Sequence, residues 1–176
     1  MPSPTPHSDP ALAELAARWV AWVAAHRQPV NPIKDGTGRD AGRHQPDDVW
    51  FLAGTFGGSV SRRCVVPAGR PLFPPAFCWW QTGRRADPAE PVTGATGHAH
   101  LDGVAVPVRA AGSAASFPVR GFFNNVATVW PWPVQVSCWG LWGLVPPPAP
   151  GPHRLTFGGR DGGGFWVEAQ YELEVR

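Results

Sequence analysis

The most constraining feature of the sequence is an almost continuously apolar stretch, V-W-F-L-A-G-T-F-G-G-S-V-S-R-R-C-V-V-P-A-G-R-P-L-F-P-P, from Val49 to Pro75. Turn-forming residues interrupt it at 57–58 and at 67–69. Short apolar runs between glycine or proline turns predict buried β-strands. We therefore expect a strand, a turn, a second strand and the start of a third, arranged as a hairpin at the centre of the core.

The same strand-and-turn pattern continues to the end of the chain. Further apolar segments lie at 98–108, 116–123, 134–145, 153–157 and 165–175, and the last alternates strictly between apolar and polar residues. Such alternation is typical of an antiparallel strand with one buried face. About eight short strands in a chain with 22 Pro and 21 Gly predict an all-β fold, specifically an antiparallel, jelly-roll-like β-sandwich that occupies 49–176.

The first 48 residues have a different character. Residues 1–8 are Pro-rich and are predicted to form a disordered tail. Ser8-Asp9-Pro10 is typical of a helix start, and apolar residues at helical spacing predict an amphipathic helix over 9–28, packed outside the sandwich. It is too short and too charged to span a bilayer. We expect a single domain from 9 to 176, no membrane partner and a cytoplasmic location, with a polar loop over 29–48.

Charge and cysteine content exclude several classes of function. The net charge is +2 and the basic residues are scattered, whereas nucleic-acid binding requires a clustered basic surface. The three cysteines are odd in number and lack C-x-x-C spacing, which favours buried thiols over disulfides, a zinc site or a catalytic nucleophile. Fourteen Arg against one Lys, with abundant Ala, Gly and Pro, is typical of a GC-rich bacterial genome.

Three polar residues are candidates for acid–base catalysis. Asp35 and His44 share the polar loop over 29–48, and a carboxylate that orients a histidine is a common catalytic arrangement. His153 follows a Pro-Gly-Pro turn, and a histidine ring can serve as a general base near neutral pH. The alternative is structural: Asp35 would hold a turn before Gly36, and His153 would bond the turn that precedes it.

A metal site is the hypothesis suggested by His98-x-His100-x-Asp102. On a strand, residues two apart point to the same face, so two imidazoles and a carboxylate could line up as ligands. The alternative is a pair of solvent-facing histidines beside an Asp-Gly turn. We expect no organic cofactor, and this spacing leaves a divalent metal open.

The aromatic content supplies candidates for ligand binding. Ten Trp and nine Phe serve first to fill the core, but exposed rings can also stack on flat ligands or sugars. Trp79 and Trp80 should face opposite ways on one strand, so that Trp80 is a candidate, and Trp130 and Trp132 lie in a proline-stiffened loop. Among the arginines of the central stretch, we expect Arg63 to be the one that lies well inside it. If it is buried, it needs an acidic partner, for which Asp35 or Asp40 is expected.

Several short motifs are shared with a known family. They are Asn31-Pro32, Asp35-x-Thr37-Gly38, V-W-F-L-A-G-T, Arg63-Cys64-x-Val66-Pro67-x-Gly69, Leu101-Asp102-Gly103 and Pro150-Gly151-x-His153-x-x-x-Phe157-Gly158-Gly159. With them, the chain resembles a family of small, often secreted bacterial proteins. The resemblance implies a β-sandwich and supplies no activity. Family members often carry a signal peptide, and a cysteine where this chain has Ala41, which implies a disulfide with the cysteine at position 64. The lack of both here fits a reducing cytosol.

These observations favour one function and leave two others open. The favoured hypothesis is a protein that binds a small organic or carbohydrate-like ligand in an aromatic-lined site. The first alternative is a small cytosolic enzyme, of lyase, isomerase or hydrolase type, that uses Asp and His residues with or without a metal. The second is a structural or oligomer-interface module.

Overall fold

The computed structural model describes residues 9–83 and 89–176. The predicted tail over 1–8 therefore lies outside the described residues. The described part of the chain forms one α-helix, a short 3-10 turn (Gln28–Val30) and eleven strands. The helix is α1 (Pro10–Ala24), and the strands are β1 (Trp50–Phe51), β2 (Gly58–Val66), β3 (Leu72–Phe73), β4 (Pro75–Gly83), β5 (Thr96–Leu101), β6 (Val104–Ala105), β7 (Val108–Gly112), β8 (Phe117–Val119), β9 (Val134–Gly143), β10 (Gly151–Arg160) and β11 (Trp166–Val175).

The strands form three sheets. The largest has the order β2-β11-β10-β5-β6, a second has the order β4-β9-β7 with β8 paired to β9, and β1 pairs with β3. The protein is therefore β-rich with one helix, and this coarse prediction of the fold class is confirmed. The alternation predicted for the last strand is also observed, because every second residue of β11 from Val167 to Val175 is buried.

Strand pairing differs from the predicted hairpin. β2 does not pair with β1 or β3 but runs parallel to β11, and β1 runs parallel to β3. The prediction of a purely antiparallel arrangement is therefore wrong at these two pairs. Local patterning identifies an apolar strand but carries no information about a partner a hundred residues away, and the parallel partner of β2 is the last strand of the chain.

Helix α1 forms an outer layer, as predicted. The Asp9 carboxylate caps it by accepting from the Ala11 amide at 3.1 Å. Its buried face belongs to a cluster with Phe51, Phe73 and Trp142, whereas Trp50, Leu52 and Leu72 belong to the cluster on the inner face of the five-stranded sheet. The two-stranded sheet therefore lies between α1 and the five-stranded sheet. With only 15 residues, α1 is too short to cross a membrane, and no other helix occurs in the described ranges.

The buried arginine of β2 is Arg62, not Arg63. The Arg63 side chain is 80 % exposed and pairs with Glu172 at 2.5 Å, so the predicted pairing with Asp35 or Asp40 is wrong. Arg62 is 3 % exposed and shares the inner face with Cys64 and Val66. The physical reason is strand parity, since adjacent residues point to opposite faces.

Carbonyl oxygens and a phenol surround the Arg62 guanidinium. It donates to the backbone oxygens of Ile33 (2.9 Å), Asp35 (2.6 Å), Ala53 (2.5 Å) and Gly54 (2.9 Å), and to the Tyr171 hydroxyl (2.9 Å). These hydrogen bonds join the polar loop, the segment after β1 and the five-stranded sheet. Arg62 therefore fixes the backbone that leads to Phe56.

Candidate functional site

An aromatic cleft lies at the free edge of β4. It has a volume of about 390 Å³, and the residues that line it are Phe56, Phe77, Cys78, Trp79, Trp80, Val92, Asp161 and Phe165. Trp79 and Trp80 project to opposite faces of β4, as predicted, and both reach the cleft because β4 is an edge strand. The structure thus places Trp80, a residue chosen from the sequence, in a concave aromatic site.

Phe56 forms one wall of the cleft. The Arg62 hydrogen bonds hold the Ala53 and Gly54 carbonyls that precede it. Gly57 then has a φ of +110°, which favours glycine, and a Cβ at this position would lie 3.4 Å from the Phe165 ring. Glycine at 57 therefore lets the chain turn directly after Phe56, beside the Phe165 ring.

The turn between β10 and β11 forms another part of the wall. The Asp161 carboxylate accepts from the backbone amides of Gly163 (2.6 Å) and Phe165 (3.1 Å), both through Oδ1. This side-chain-to-backbone turn presents the Phe165 ring, which is 42 % exposed, to the cleft. The second oxygen, Oδ2, has no hydrogen-bond partner among the described residues.

The aromatic rings of the cleft meet at steep angles. Phe56 and Trp80 have ring centroids 6.4 Å apart with planes inclined at 62°, and Phe77 and Phe165 are 6.3 Å apart at 71°. The Trp80 ring also packs against the buried Trp19 ring at 6.1 Å, which fixes its position. Ring faces and ring edges therefore border the open cleft on several sides.

A second group of aromatic residues forms a convex surface, which we call the aromatic loop (residues 121–133). Phe123, Trp130 and Trp132 are 61 %, 50 % and 58 % exposed. The Trp130 and Trp132 rings stack on each other with centroids 5.3 Å apart and planes at 9°, and Phe123 packs on Trp130 at 5.3 Å. Stacking covers one face of each indole, so the two tryptophans, predicted as ligand-binding residues, do not form a coplanar platform.

Asn125 holds the aromatic loop on the end of α1. Its side-chain amide donates to the backbone oxygens of Ala24 (2.9 Å) and His26, and its side-chain oxygen accepts from the Ala127 amide at 2.8 Å. Asn125 is 7 % exposed. One buried side chain therefore links the loop to the helix.

The residues predicted as metal ligands are not gathered at one point. The His98 and His100 rings lie 5.8 Å apart, but His98 contacts Glu168 at 3.2 Å, and Asp102 follows β5 in a turn with φ of +51°. Within 9–83 and 89–176, no group of three or more His, Cys, Asp or Glu residues is placed to hold a metal ion.

Asp102 pairs instead with His153, the third catalytic candidate. His153 Nδ1 lies 2.7 Å from Asp102 Oδ2, and Nε2 lies 2.8 Å from the Ala149 carbonyl oxygen. The hydrogen bond with Asp102 raises the pKa of His153, and the carbonyl of Ala149 adds to this effect. The Arg154 amide and His153 lower the pKa of Asp102. Both ring nitrogens are engaged, an arrangement that agrees with the structural alternative for His153.

Asp35 and His44 do not form a catalytic pair in the structure. Asp35 accepts from the Thr37 and Asp40 amides and the Thr37 hydroxyl. Burial opposes ionisation of Asp35, but these hydrogen bonds outweigh it and lower the carboxyl pKa. His44 is exposed and packs edge-on against His26 at 5.1 Å. Asp35 contacts β2, whereas His153 lies on β10 with β11 between the two strands, a separation of roughly 10 Å.

The three cysteines are free thiols. Burial raises the pKa of Cys64 to about 12 and that of Cys138 to about 12, and it raises the pKa of Cys78 as well. A thiol with so high a pKa is a poor nucleophile at neutral pH. The geometry agrees with the prediction that the cysteines are packing residues, and Cys78 contributes to the cleft only as an apolar surface.

Comparisons of the chain with protein-family models, curated proteins and solved structures found no match. The resemblance to a bacterial β-sandwich family therefore stays a prediction. Ala41 and Cys64 belong to the same buried cluster.

Of the eight described residues that line the cleft, only Trp80 was chosen from the sequence. Phe56, Asp161 and Phe165 lie in glycine-rich turns, where no periodicity indicates which way a side chain points. The sequence does contain one signal, the segment Asp161-Gly-Gly-Gly-Phe165, because an aspartate before glycines favours a turn held by its own carboxylate.

Proposed function

We propose that the protein binds a small organic ligand in the aromatic cleft. The observation that carries this proposal is the cleft itself: a concave site of about 390 Å³, lined by five aromatic side chains and one carboxylate. Ligand sites are typically clefts of roughly 300–1,000 Å³ with mainly apolar walls and a few polar groups. A carbohydrate-like ligand that stacks on the rings belongs to the same proposal.

The setting of this binding function is also part of the proposal. We place the protein in the cytosol of a bacterium, as a jelly-roll-like sandwich related to the family that the motifs resemble. Free thiols at all three cysteine positions, of which Cys64 and Cys138 are buried, support a reducing compartment. The amino-acid composition supports the bacterial origin.

A fragment screen followed by protein NMR tests the binding function. Ligands of the cleft should shift the indole signals of Trp79 and Trp80 and leave those of Trp130 and Trp132 unchanged. Trp80→Leu should weaken binding at least about tenfold, since a stacked aromatic contributes on the order of 1 kcal/mol beyond its buried area. Trp132→Leu is the matched control and should leave affinity unchanged. The proposal fails if hits cluster on the aromatic loop or if Trp80→Leu binds normally.

The acid–base enzyme is the weaker alternative. Its three predicted residues are separated, and the carboxylate of Asp35 and the ring of His153 are each engaged in structural hydrogen bonds. A general base must reach its proton at about 2.6–3.2 Å or through one water. Asp35 and His153 do not converge on a common point.

A second candidate function rests on the aromatic loop. Large exposed apolar patches mark interaction surfaces, and Phe123, Trp130 and Trp132 form such a patch. Self-association through this loop would make the protein an interface module. Sedimentation velocity over a hundredfold concentration range tests it: the wild type should form dimers that Trp130→Ser/Trp132→Ser abolishes, and a wild type that stays monomeric throughout would rule this out.

A further inference from the structure

We propose that the ligand of the aromatic cleft is an organic ammonium ion, such as a quaternary or substituted amine. This inference rests on the proposed binding function and specifies the class of ligand. Three features of the cleft support it: the orientation of its rings, the one carboxylate among its described lining residues and the position of the nearest arginine.

The rings provide the first support. The face of an aromatic ring carries a negative electrostatic potential, so a cation within about 6 Å of several ring centroids is attracted to each of them. Phe56 with Trp80, and Phe77 with Phe165, meet at 62° and 71°. Rings inclined in this way can surround a rounded ammonium group, whereas a flat ligand is better served by parallel rings.

The carboxylate provides the second support. Asp161 is the only ionisable side chain, apart from a buried thiol, among the described residues that line the cleft. Its Oδ1 holds the turn that presents Phe165, and its Oδ2 has no hydrogen-bond partner in the described part of the chain. A carboxylate beside aromatic walls attracts a cation and repels an anion.

Arg160, the arginine nearest to Asp161 in the sequence, does not line the aromatic cleft. Arg160 precedes Asp161 but donates to the Thr96 hydroxyl at 3.3 Å and lines a different cleft with Trp166 and Glu168. No basic side chain is among the described residues around the aromatic cleft. The negative charge of Asp161 is therefore not neutralised at the site by this neighbour.

The test compares choline with 3,3-dimethylbutan-1-ol, a neutral molecule of the same shape, by NMR titration of the full chain at fixed ionic strength. We expect choline to shift the Trp79 and Trp80 signals and to bind at least about fivefold more tightly than the alcohol. Asp161→Asn, which keeps an oxygen to accept from the turn amides, should reduce this preference about two- to fivefold. Asp47→Asn, at a fully exposed aspartate, is the matched control.

A second variant tests the rings. Phe56→Leu keeps an apolar side chain at a half-exposed position and should reduce the preference for choline roughly 3- to 30-fold, the range expected for a cation–π contact. Equal binding of the two probes would overturn the ammonium inference and leave the binding function standing. Failure of both probes at tens of millimolar would overturn it too, and the fragment screen then decides the binding function separately.

Discussion

The aromatic cleft and the aromatic loop are built from the same kinds of residues but differ in how the rings meet. In the cleft, rings from three separate segments meet at steep angles around an open volume. In the loop, Trp130 and Trp132 are two residues apart and stack on each other at 9°. Exposure alone therefore does not identify a binding site, because rings that stack on each other leave less of their faces free for a ligand.

The two regions also differ in the side chain that anchors each of them to the rest of the fold. The cleft depends on Arg62, which fixes the backbone before Phe56 through hydrogen bonds to Ala53 and Gly54. The loop depends on Asn125, which bonds the end of α1. A charged anchor deep in the core should be costlier to lose than a neutral one, and this difference can be measured.

The largest effect is expected from Arg62→Met. It leaves several buried carbonyl oxygens without donors, and the free energy of unfolding should fall by at least about 3 kcal/mol, with loss of ligand binding in the cleft. Urea denaturation measures it. The control is Arg63→Met, next to it in the chain but 80 % exposed, which should change stability by less than about 0.5 kcal/mol. Equal losses in the two variants would contradict the role assigned to Arg62.

Asn125→Ala should have a smaller effect that is confined to the aromatic loop. Loss of its buried hydrogen bonds should lower the free energy of unfolding by about 1–3 kcal/mol. The Trp130 and Trp132 NMR signals should change while those of Trp79 and Trp80 persist. Asn124→Gly is a matched control, because Asn124 is exposed with φ of +50°, a conformation that glycine adopts readily. Changes of the cleft signals in Asn125→Ala would mean that the two regions are coupled.

Acid should lower the stability of the fold through His26, whose backbone oxygen accepts a hydrogen bond from Asn125. Burial lowers the pKa of His26, although the carbonyls of Trp22 and Arg43 oppose this. Below the usual histidine pKa of 6.5, the unfolded chain takes up a proton that folded His26 does not, so stability falls as pH falls. His26→Gln should reduce this loss between pH 7.5 and 5, measured by thermal unfolding. A wild type in which His26 binds its proton above pH 6.5 by NMR would refute this.

The smallest effect is expected at His153, which belongs to neither aromatic region. Its pKa is raised, so its pairing with Asp102 stabilises the fold fully below pH 6.5, and this contribution is lost as pH rises through the pKa of the folded state. Asp102→Asn should remove this pH dependence and leave ligand binding in the cleft unchanged. A larger loss in Asp102→Asn at pH 9 than at pH 6 would have the wrong sign and exclude the pairing.

Much of the local structure could be predicted because it depends on neighbours in the chain. Helical spacing identified α1, and alternation identified β11. The turn at Asp102-Gly103 was predicted from residue preferences alone. Each of these features follows from interactions within a few residues, which the sequence displays directly.

The candidate site could be predicted only in part. Trp80 was chosen from its place on a strand, but Phe56 and Phe165 come from turns more than a hundred residues apart and meet only in the folded chain. The sequence also failed to show that Arg62, and not its neighbour Arg63, is the buried arginine. A strand has two faces, and which one is buried depends on the sheet above it.

The sequence by itself determined that the chain is rich in short strands and turns, that α1 is a helix, and that many aromatic residues had to be packed. The tertiary structure alone decided that β2 pairs with the last strand, that Trp130 and Trp132 cover each other, and that Phe56, Trp80 and Phe165 enclose a cleft with Asp161. The physical reason is that backbone preferences act over a few residues, whereas apolar burial and ring contacts act between any segments that the fold brings together.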